Sequence, residues 1–486
     1  MEITKSGKHS WIGDYGYLGV IALLLILRVF FWFSPTHAEK MNTIYLWPLM
    51  IASLALVFYA RRQRLPEGSA LTAGMAAWLF VSAVLGGDPY LELNRTFMLG
   101  IVVCFIGCYW VIPTLPAKRR ETGLRILSGL YVALMLAIAL LGVYAAVSGM
   151  SIRTPFSDAA IGVLDARLYV FHYHPNEIGA AFVIALYLLI YFALSTHRVW
   201  LKIIYALAGL ALYVAISLTV SRTSMMLAAA GCGVCAFWLA YRAFAKRKAL
   251  LRWAVGGLLL VLVTGIVYLG CIQTIQWVGI VSQKARAAAS APSAAVTVAP
   301  DGVAASDVAA DAASVTPQAT PAAAPKAAPV VRIDESRQNI SDIGTFNMRT
   351  QLWEAGFAYL RQHPLALLLG APDNVVSRIP ATVGRKEYHL HNVMVEMLLL
   401  GGVPGLLMYL AFLYVLARRA LRLAFAKVSP LAHRFLAVVP ILLVVNGLTE
   451  IYPMFSGNVM DMMFFVIAGA VVAFGAAPAQ PAALTD

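Results

Sequence analysis

About twelve long apolar runs divide the chain, and their length constrains the fold more than any other sequence feature. A helix that crosses a bilayer needs about 20 predominantly apolar residues, because in lipid the backbone must satisfy its own hydrogen bonds. The runs lie near residues 15–34, 42–60, 69–87, 97–114, 125–148, 177–195, 199–219, 222–243, 251–278, 391–416, 432–450 and 456–475. Apolar residues make up 61% of the chain and charged residues only 12%, which excludes a soluble enzyme with a single anchor. The sequence predicts an all-α polytopic membrane protein with about twelve transmembrane helices and one large extracytoplasmic loop.

Basic residues predict the orientation of these helices, because cytoplasmic loops of membrane proteins are enriched in Lys and Arg. Every second connection in the chain is basic, and the connections between them hold few basic residues. The basic connections contain Arg61, Arg62, Arg64, Lys118, Arg119, Arg120, Arg198, Lys202, Lys246, Arg247, Lys248, Arg418, Arg419 and Arg422. Both termini are therefore predicted to be cytoplasmic. The net charge of +14 is attributed to these loops rather than to nucleic-acid binding.

The runs and loops divide the chain into five segments. They are transmembrane helices 1–5 (1–148), a loop with helices 6–9 (149–278), the large extracytoplasmic loop (279–390), helices 10–12 (391–475) and a cytoplasmic tail (476–486). Residues 287–330 of the large loop are rich in Ala and Pro, with too few large apolar groups to offset the entropy of ordering, and are predicted to be a disordered insertion. Residues 331–390 are predicted to be ordered and helical. Their helical periodicity indicates an amphipathic helix at the outer membrane boundary, with Arg349 and Trp353 one turn apart.

His391 is the first candidate for chemistry, because it lies where the large loop re-enters the membrane. A His at the wet end of a span can act as a general base. Asn392 follows it and could orient the ring or cap the next helix. Gly402 and Gly405 come later in the same run and would let the helix bend or pack closely. The alternative is an interfacial His beside a glycine-rich packing face.

Arginines on the outer side form the second set of candidates, because guanidinium groups suit phosphate oxygens. Arg222 lies between two spans that have hardly a loop between them, and Arg349 lies on the amphipathic helix. Arg167 precedes His174 and Asn176 in the loop before the sixth span. A charge close to hydrocarbon is costly, so Arg222 is a functional candidate by default. Snorkelling or a structural ion pair is the alternative for each arginine.

Metal and cofactor sites are not predicted. The first two outer loops offer Glu39, Asp88 and Glu92, which are not the close carboxylates that hold a divalent cation. Nucleotide-binding glycine patterns and zinc-protease motifs are absent from the sequence. Cys232 and Cys235 form a CxxC without a second pair or a His cluster, so they are interpreted as small membrane residues. No cofactor and no metal are expected.

Four motifs together resemble the bacterial O-antigen ligase and O-antigen polymerase superfamily, most closely the ligases. The ligase pattern is a His followed by Asn, Ser or Gln, nine residues, a Gly, two residues, and Gly, Thr or Tyr. Here it reads His391, Asn392, nine residues, Gly402, two residues and Gly405. The other motifs are HPNEIG (174–179), SRT (221–223) and MRTQLWEAGFAYLRQHPLALLLG (348–370). The resemblance covers residues 165–280 and 340–475.

The resemblance implies a metal-independent glycosyltransferase in the bacterial cytoplasmic membrane, with an extracytoplasmic active site. Its donor would be a glycan on undecaprenyl diphosphate, and its acceptor a lipid or cell-wall molecule. His391 would activate the acceptor hydroxyl, and Arg222 and Arg349 would bind the diphosphate and stabilise its departure. The residues expected to contact substrate are Arg167, His174, Asn176, Trp353 and Asn392.

Three functions remain open at this point. A ligase would transfer a preassembled glycan to a membrane-anchored acceptor such as lipid A-core. A polymerase of the same superfamily would join repeat units with the same donor chemistry. A transporter of lipid-linked sugars would need charges at mid-membrane, for which Arg28, Glu396 and Asp461 are the only hints in the sequence.

Overall fold

Long apolar helices make up most of the structure, as expected for a polytopic helical membrane protein. The computed structural model describes residues 7–31, 67–85, 102–149, 152–154, 157–164, 167–170, 175–290, 347–371, 373–383, 389–426, 429–450 and 458–476. Within these residues, seven helices are long and apolar enough to cross a membrane, and three shorter helices are also apolar. The predicted run near 42–60 lies outside the described residues. The predicted disordered insertion (287–330) lies outside them from residue 291 onward.

The elements are numbered here in chain order. The N-terminal part contains α1 (Gly7–Phe31), α2 (Ser69–Leu85), a π-helix (Val102–Cys108) that continues into α3 (Tyr109–Val111), and α4 (Ala117–Ser148). Next come β1 (Ile152–Thr154), β2 (Ser157–Leu164) and β3 (Arg167–Val170), then α5 (Pro175–Ser195), α6 (Val199–Leu218), α7 (Arg222–Ala243) and α8 (Ala249–Ser290). The remaining helices are α9 (Asn347–Gln362), α10 (Ala366–Leu369), α11 (Asp373–Val376), α12 (Ile379–Thr382), α13 (Val393–Phe425), α14 (Leu431–Asn446) and α15 (Val459–Ala476).

A small antiparallel sheet corrects the prediction of an all-α chain. Its strand order is β1-β2-β3, and Ile161 of β2 pairs with Val170 of β3. Burial alternates along β3, where Leu168 and Val170 are buried, as the two-residue period of a strand requires. Leu168 packs closely on Gly142 of α4, where an added Cβ would lie 3.0 Å from a Leu168 methyl. The strands are too short to stand out from the apolar helical runs around them.

Helix α8 is longer than predicted. It has 42 residues and continues to Ser290, past the expected end of its span at residue 278. At 1.5 Å per residue its length is about 63 Å, about twice the thickness of a hydrocarbon core. Its last turns therefore extend beyond any membrane that its apolar part crosses.

Helices α5 and α15 form the interior of the bundle, and α6 and α8 lie at its periphery. All but the last few residues of α15 are buried, including Phe464 and Phe465, whereas α8 exposes many large apolar side chains. Exposed apolar side chains are expected on a helix that faces lipid. The interior helices therefore form the packed core of the bundle, and the peripheral helices form the surface that contacts lipid.

Helix α13 is sharply kinked at Gly402, where φ is 61° and ψ is −167°. A non-glycine residue rarely adopts this conformation. A Cβ at Gly402 would also lie 2.7 Å from the carbonyl oxygens of Leu367 and Leu368. Pro404 follows two residues later and has no N–H to donate. Both the backbone angle and the close approach of α10 therefore require glycine at position 402.

The carbonyl groups that the kink releases are bound by other parts of the chain. The carbonyl of Leu399 accepts from the Ala371 N–H (2.6 Å), that of Leu400 from Ser82 Oγ (2.7 Å), and that of Gly401 from Trp78 Nε1 (2.7 Å). Buried carbonyls without a partner are costly, so these contacts stabilise the bend. The kink thereby fixes the direction of the first turns of α13, which begins at Val393, two residues after His391.

Candidate active site

Glu450 is the centre of a buried polar network at the end of the bundle where α13 begins. Its side chain is only 3% exposed. Oε1 accepts hydrogen bonds from Nη2 of Arg349 (2.7 Å) and from Nδ2 of Asn176 (3.0 Å). Oε2 lies 3.0 Å from Nδ1 of His391. One carboxylate thus joins the predicted general base, a predicted phosphate-binding arginine and a predicted substrate-binding amide.

Glu450 reaches this position because the turn after α14 is bound to the start of α13. The Glu450 N–H donates to the Asn446 carbonyl (2.9 Å), which continues the helical turn. The Val393 N–H donates to the Gly447 carbonyl (2.8 Å), and Asn392 Nδ2 donates to the Leu448 carbonyl (3.1 Å). These two bonds attach the turn that carries Glu450 to the two residues that follow His391.

His391 has an unusual backbone conformation, with φ at +54°. Positive φ is uncommon outside glycine, and His, Asn and Asp are the residues that adopt it most often. Leu390, just before it, is held on both sides: its N–H donates to Glu396 Oε1 (3.0 Å), and its carbonyl accepts from Trp353 Nε1 (2.9 Å). The bonds to Leu390 therefore fix the backbone before His391, and this backbone sets the direction of the His391 ring.

Asn392 is the N-cap of α13. Its Oδ1 accepts from the N–H groups of Met394 (2.9 Å) and Val395 (3.2 Å), which satisfies two donors of the first turn. Its Nδ2 is bound to the Leu448 carbonyl, as described above. Its amide is thus occupied by the protein on both sides, and its contact with substrate stays a prediction.

Trp353 lies on α9 one turn after Arg349, and both side chains are partly buried against the site. On the same helix Leu352, Gly356 and Leu360 are buried, whereas Glu354 is exposed. Phe357, which the periodicity places on the apolar face, is exposed instead. Helix α9 therefore delivers Arg349 to Glu450 and Trp353 to the Leu390 carbonyl from one face.

Arg167 forms a second layer behind Asn176. Its Nη2 donates to Asn176 Oδ1 (2.7 Å), and its Nε donates to the Thr219 carbonyl (3.0 Å). Arg167 begins β3, Asn176 lies in the first turn of α5, and Thr219 follows α6. This side chain thus connects the small sheet, two spans and, through Asn176, the central carboxylate.

Arg222 begins α7 at the same end of the bundle, three residues after Thr219. Ser221 is the N-cap of that helix, and Val220 before it has φ at +51°. Arg222 acts electrostatically on Tyr268 of α8. It lies in the first turn of α7 and does not take part in the described hydrogen bonds of Glu450. His174 lies outside the described residues, directly before Pro175, which opens α5.

Gly405, the second glycine of the sequence motif, lies against Trp78 of α2. A Cβ there would be 3.6 Å from the indole ring, which is an ordinary contact. The two glycines therefore differ in their requirement: the conformation at Gly402 excludes a side chain, and the packing at Gly405 tolerates a small one.

Glu450 is not among the residues predicted from the sequence, and Glu396 lies elsewhere than predicted. Glu450 is the last residue of the apolar run near 432–450, and an acidic residue at the end of a span was the only local signal for it. Glu396 was a hint of a charge at mid-membrane. It lies instead in the first turn of α13, where it binds the Leu390 N–H and stands 3.4 Å from Nδ1 of His389. It supports the loop that carries His391, which removes one of the three hints of a transport path.

Within the described part of the chain, no three His, Cys, Asp or Glu side chains are grouped so that they could hold a metal ion. Glu450 is itself engaged by two cationic or ionisable groups and an amide. Positive charge at this site is supplied by protein side chains. Independence from metals stays a prediction about the reaction.

The fold and the site define a polytopic helical membrane protein with a buried His–Glu–Arg network at one end of its spans. A sequence model of the family described as O-antigen ligase matches residues 206–410 of the chain. This match supports the O-antigen ligase superfamily and confirms the resemblance seen in the motifs. Arg222, Arg349 and His391 lie inside the matched region, and Glu450 lies outside it. No curated protein and no solved structure matches the chain.

Proposed function

We propose that the protein is a metal-independent glycosyltransferase of the O-antigen ligase type. It transfers a preassembled glycan from undecaprenyl diphosphate to a membrane-anchored acceptor, such as lipid A-core, on the outer face of the bacterial cytoplasmic membrane. The observation that carries this proposal is the buried carboxylate of Glu450, which binds both His391 and Arg349. The family match supports the same class of reaction.

His391 acts as the general base in this proposal. Nδ1 lies 3.0 Å from Glu450 Oε2, and a carboxylate can only accept, so the bond requires hydrogen on Nδ1. In the neutral ring Nε2 is then unprotonated and free to take the proton of the acceptor hydroxyl. Glu450 also stabilises the imidazolium that forms when the proton is taken, as the Asp of a Ser-His-Asp triad does.

Arg349 and Arg222 bind the donor diphosphate. A guanidinium has five N–H donors, and the described bond to Glu450 uses one nitrogen of Arg349. The remaining donors suit phosphate oxygens, which gain negative charge as the leaving group departs. Holding Arg349 in place before the donor arrives avoids reorganisation during the reaction.

The proposed step is one displacement. The acceptor oxygen forms a bond to the anomeric carbon while the bond from that carbon to the diphosphate oxygen breaks. The electron pair of the broken bond leaves with undecaprenyl diphosphate, and the acceptor proton goes to Nε2 of His391. The diphosphate is already a good leaving group, so positive charge and a positioned nucleophile are the main requirements.

The charge pattern supports an orientation in which this site faces away from the cytoplasm. The site lies at the start of α7 and α13 and after the end of α14, whereas Arg418, Arg419 and Arg422 lie near the other end of α13. Cytoplasmic loops carry the excess of Lys and Arg, so the end with the arginine cluster is assigned to the cytoplasm. In this orientation both termini are cytoplasmic.

Transfer by the purified protein tests the proposal. Full-length protein is incubated with an undecaprenyl-diphosphate-linked glycan and with lipid A-core, and the glycosylated lipid is detected on a gel. Transfer to the core lipid supports a ligase, and elongation of the donor-linked glycan identifies a polymerase. Absence of transfer, with movement of the intact donor across vesicles, identifies a transporter. In a deletion strain, long unligated chains on the carrier lipid are expected.

A further inference from the structure

A polar cavity lies at the opposite end of the bundle from Glu450. Its volume is about 360 Å³, and it lies between the end of α7, the start of α8 and the start of α14. Its lining includes Trp238, Tyr241, Arg242, Arg252, Ser429 and Arg434. Helix α7 has 22 residues, so about 33 Å separate its two ends. This cavity, named here the arginine pocket, is therefore distinct from the candidate active site.

Two of its arginines are fixed in place over aromatic rings. The guanidinium carbon of Arg252 lies 5.0 Å from the centre of the Tyr241 ring, and that of Arg434 lies 5.6 Å from the centre of the Trp238 ring. Arg434 also donates to the carbonyls of Ser429 (3.1 Å) and Ala426 (2.9 Å). Such contacts hold each cation in one orientation before any ligand binds.

The charge of the pocket is not balanced by the residues that line it. Arg242, Arg252 and Arg434 converge on the cavity, and among the described lining residues there is no Asp or Glu. The positive charges of Arg242 and Arg434 repel each other. The buried Nε of Arg252 has no hydrogen-bond partner among the residues that the structure describes. A buried donor without a partner and a set of like charges both favour an anion with several acceptor oxygens.

We propose that the arginine pocket binds the phosphate group of an anionic phospholipid from the cytoplasmic leaflet. The pocket lies at the end of the helices that the charge pattern assigns to the cytoplasm. Anionic lipids are attracted to basic pockets between helices on that side of a membrane. Trp238, Tyr241 and Leu431 supply apolar surface beside the arginines, which suits the glycerol and the upper acyl chain of a lipid.

Lipid binding by the full-length protein in neutral detergent tests this proposal. Native mass spectrometry measures the binding of phosphatidylglycerol and of phosphatidylcholine with the same acyl chains, and inorganic phosphate is added as a competitor. We expect the protein to bind phosphatidylglycerol at least tenfold more tightly than phosphatidylcholine. Inorganic phosphate at equal concentration should not displace it, because it lacks the apolar contacts.

The variants assign the binding to the pocket. Arg252→Gln should weaken phosphatidylglycerol binding about tenfold by removing one charged contact. Arg242→Gln should also weaken the binding of phosphatidylglycerol. Arg242 is exposed, so we expect this change to leave the packing intact. Arg198→Gln is the matched control, because Arg198 is exposed in a basic connection predicted to lie on the same side but does not line the pocket. Equal affinity for the two lipids, or equal loss in Arg252→Gln and Arg198→Gln, would overturn the proposal. Displacement of the lipid by equimolar phosphate would assign the pocket to free phosphate and overturn it as well.

Discussion

Replacing Glu450 with Gln tests the central feature of the proposed mechanism, because the change removes the charge and keeps the size. The carboxylate can accept from Arg349, Asn176 and His391 at once. A Gln has one accepting oxygen and one donating nitrogen. If the oxygen remains with Arg349 and Asn176, the nitrogen faces Nδ1 of His391 and donates to it. The ring must then carry its hydrogen on Nε2, where the acceptor hydroxyl should find a base.

The expected loss of turnover in Glu450→Gln is about 10²–10⁴-fold, the usual range for general-base catalysis. The corresponding change in a Ser-His-Asp triad lowers turnover by about 10⁴ through the same change of tautomer. The loss of folding stability should stay below the roughly 3–5 kcal/mol of an uncompensated buried charge, since the Gln oxygen still accepts from Arg349. Donor affinity should change little for the same reason.

Glycan transfer by purified protein, with kcat and KM for the lipid-linked donor measured separately, checks this expectation. The matched control is Glu354→Gln, because Glu354 is an exposed acid on α9, the helix that carries Arg349. We expect the control to keep full activity. The reasoning fails if Glu450→Gln turns over at the normal rate, or if its activity falls only through a higher KM.

Four further predictions follow from the geometry. His391→Asn should lower kcat about 10²–10⁴-fold, and Asn is chosen because it tolerates the positive φ at this position. His389→Ala should keep most of the activity. An inactive His389→Ala together with an active His391→Asn would contradict the assignment. Arg349→Lys and Arg222→Lys should raise the KM for donor and lower kcat, with Lys recovering only part of what Ala loses, as measured by the same transfer assay. Transfer should persist in EDTA, and its loss with recovery on adding magnesium or manganese would refute metal independence. Gly402→Ala should lower the free energy of unfolding by at least about 1–3 kcal/mol, because backbone strain adds to the contact of the new Cβ with the carbonyl oxygens of Leu367 and Leu368. Thermal or denaturant unfolding in detergent measures this loss, and an unchanged stability would contradict the described kink.

The helical membrane architecture was predictable from the sequence for a simple physical reason. Lipid forces long apolar segments to be helices, so a run such as 177–195 specifies α5 almost residue for residue. Helix ends in polar surroundings are less constrained, and α8 continues to Ser290 instead of ending at 278. The sheet at β1–β3 was missed because its strands have three to eight residues and are embedded among much stronger helical signals.

The candidate site was only half predictable, because its centre depends on contacts between distant parts of the chain. Glu450 is 59 residues from His391, 101 from Arg349 and 274 from Asn176. Local patterns and the family resemblance predict a role for each of those three partners. The acid that joins them carries no local signal beyond its place at the end of a span, and contacts of this separation cannot be inferred from one sequence.

The burial of Glu450 among basic groups follows from what the proposed reaction requires. Without an anion, Arg349 and a protonated His391 would repel each other, and each would need to be oriented again when the donor binds. The Glu450 carboxylate holds both in place and neutralises one charge, while Arg167 fixes Asn176 on its other side. The proposed site therefore gains its order before the diphosphate arrives, and the remaining donors of Arg349 meet the leaving group without a change of geometry. Preorganisation of this kind explains why a carboxylate stands in a site whose proposed ligand is itself an anion.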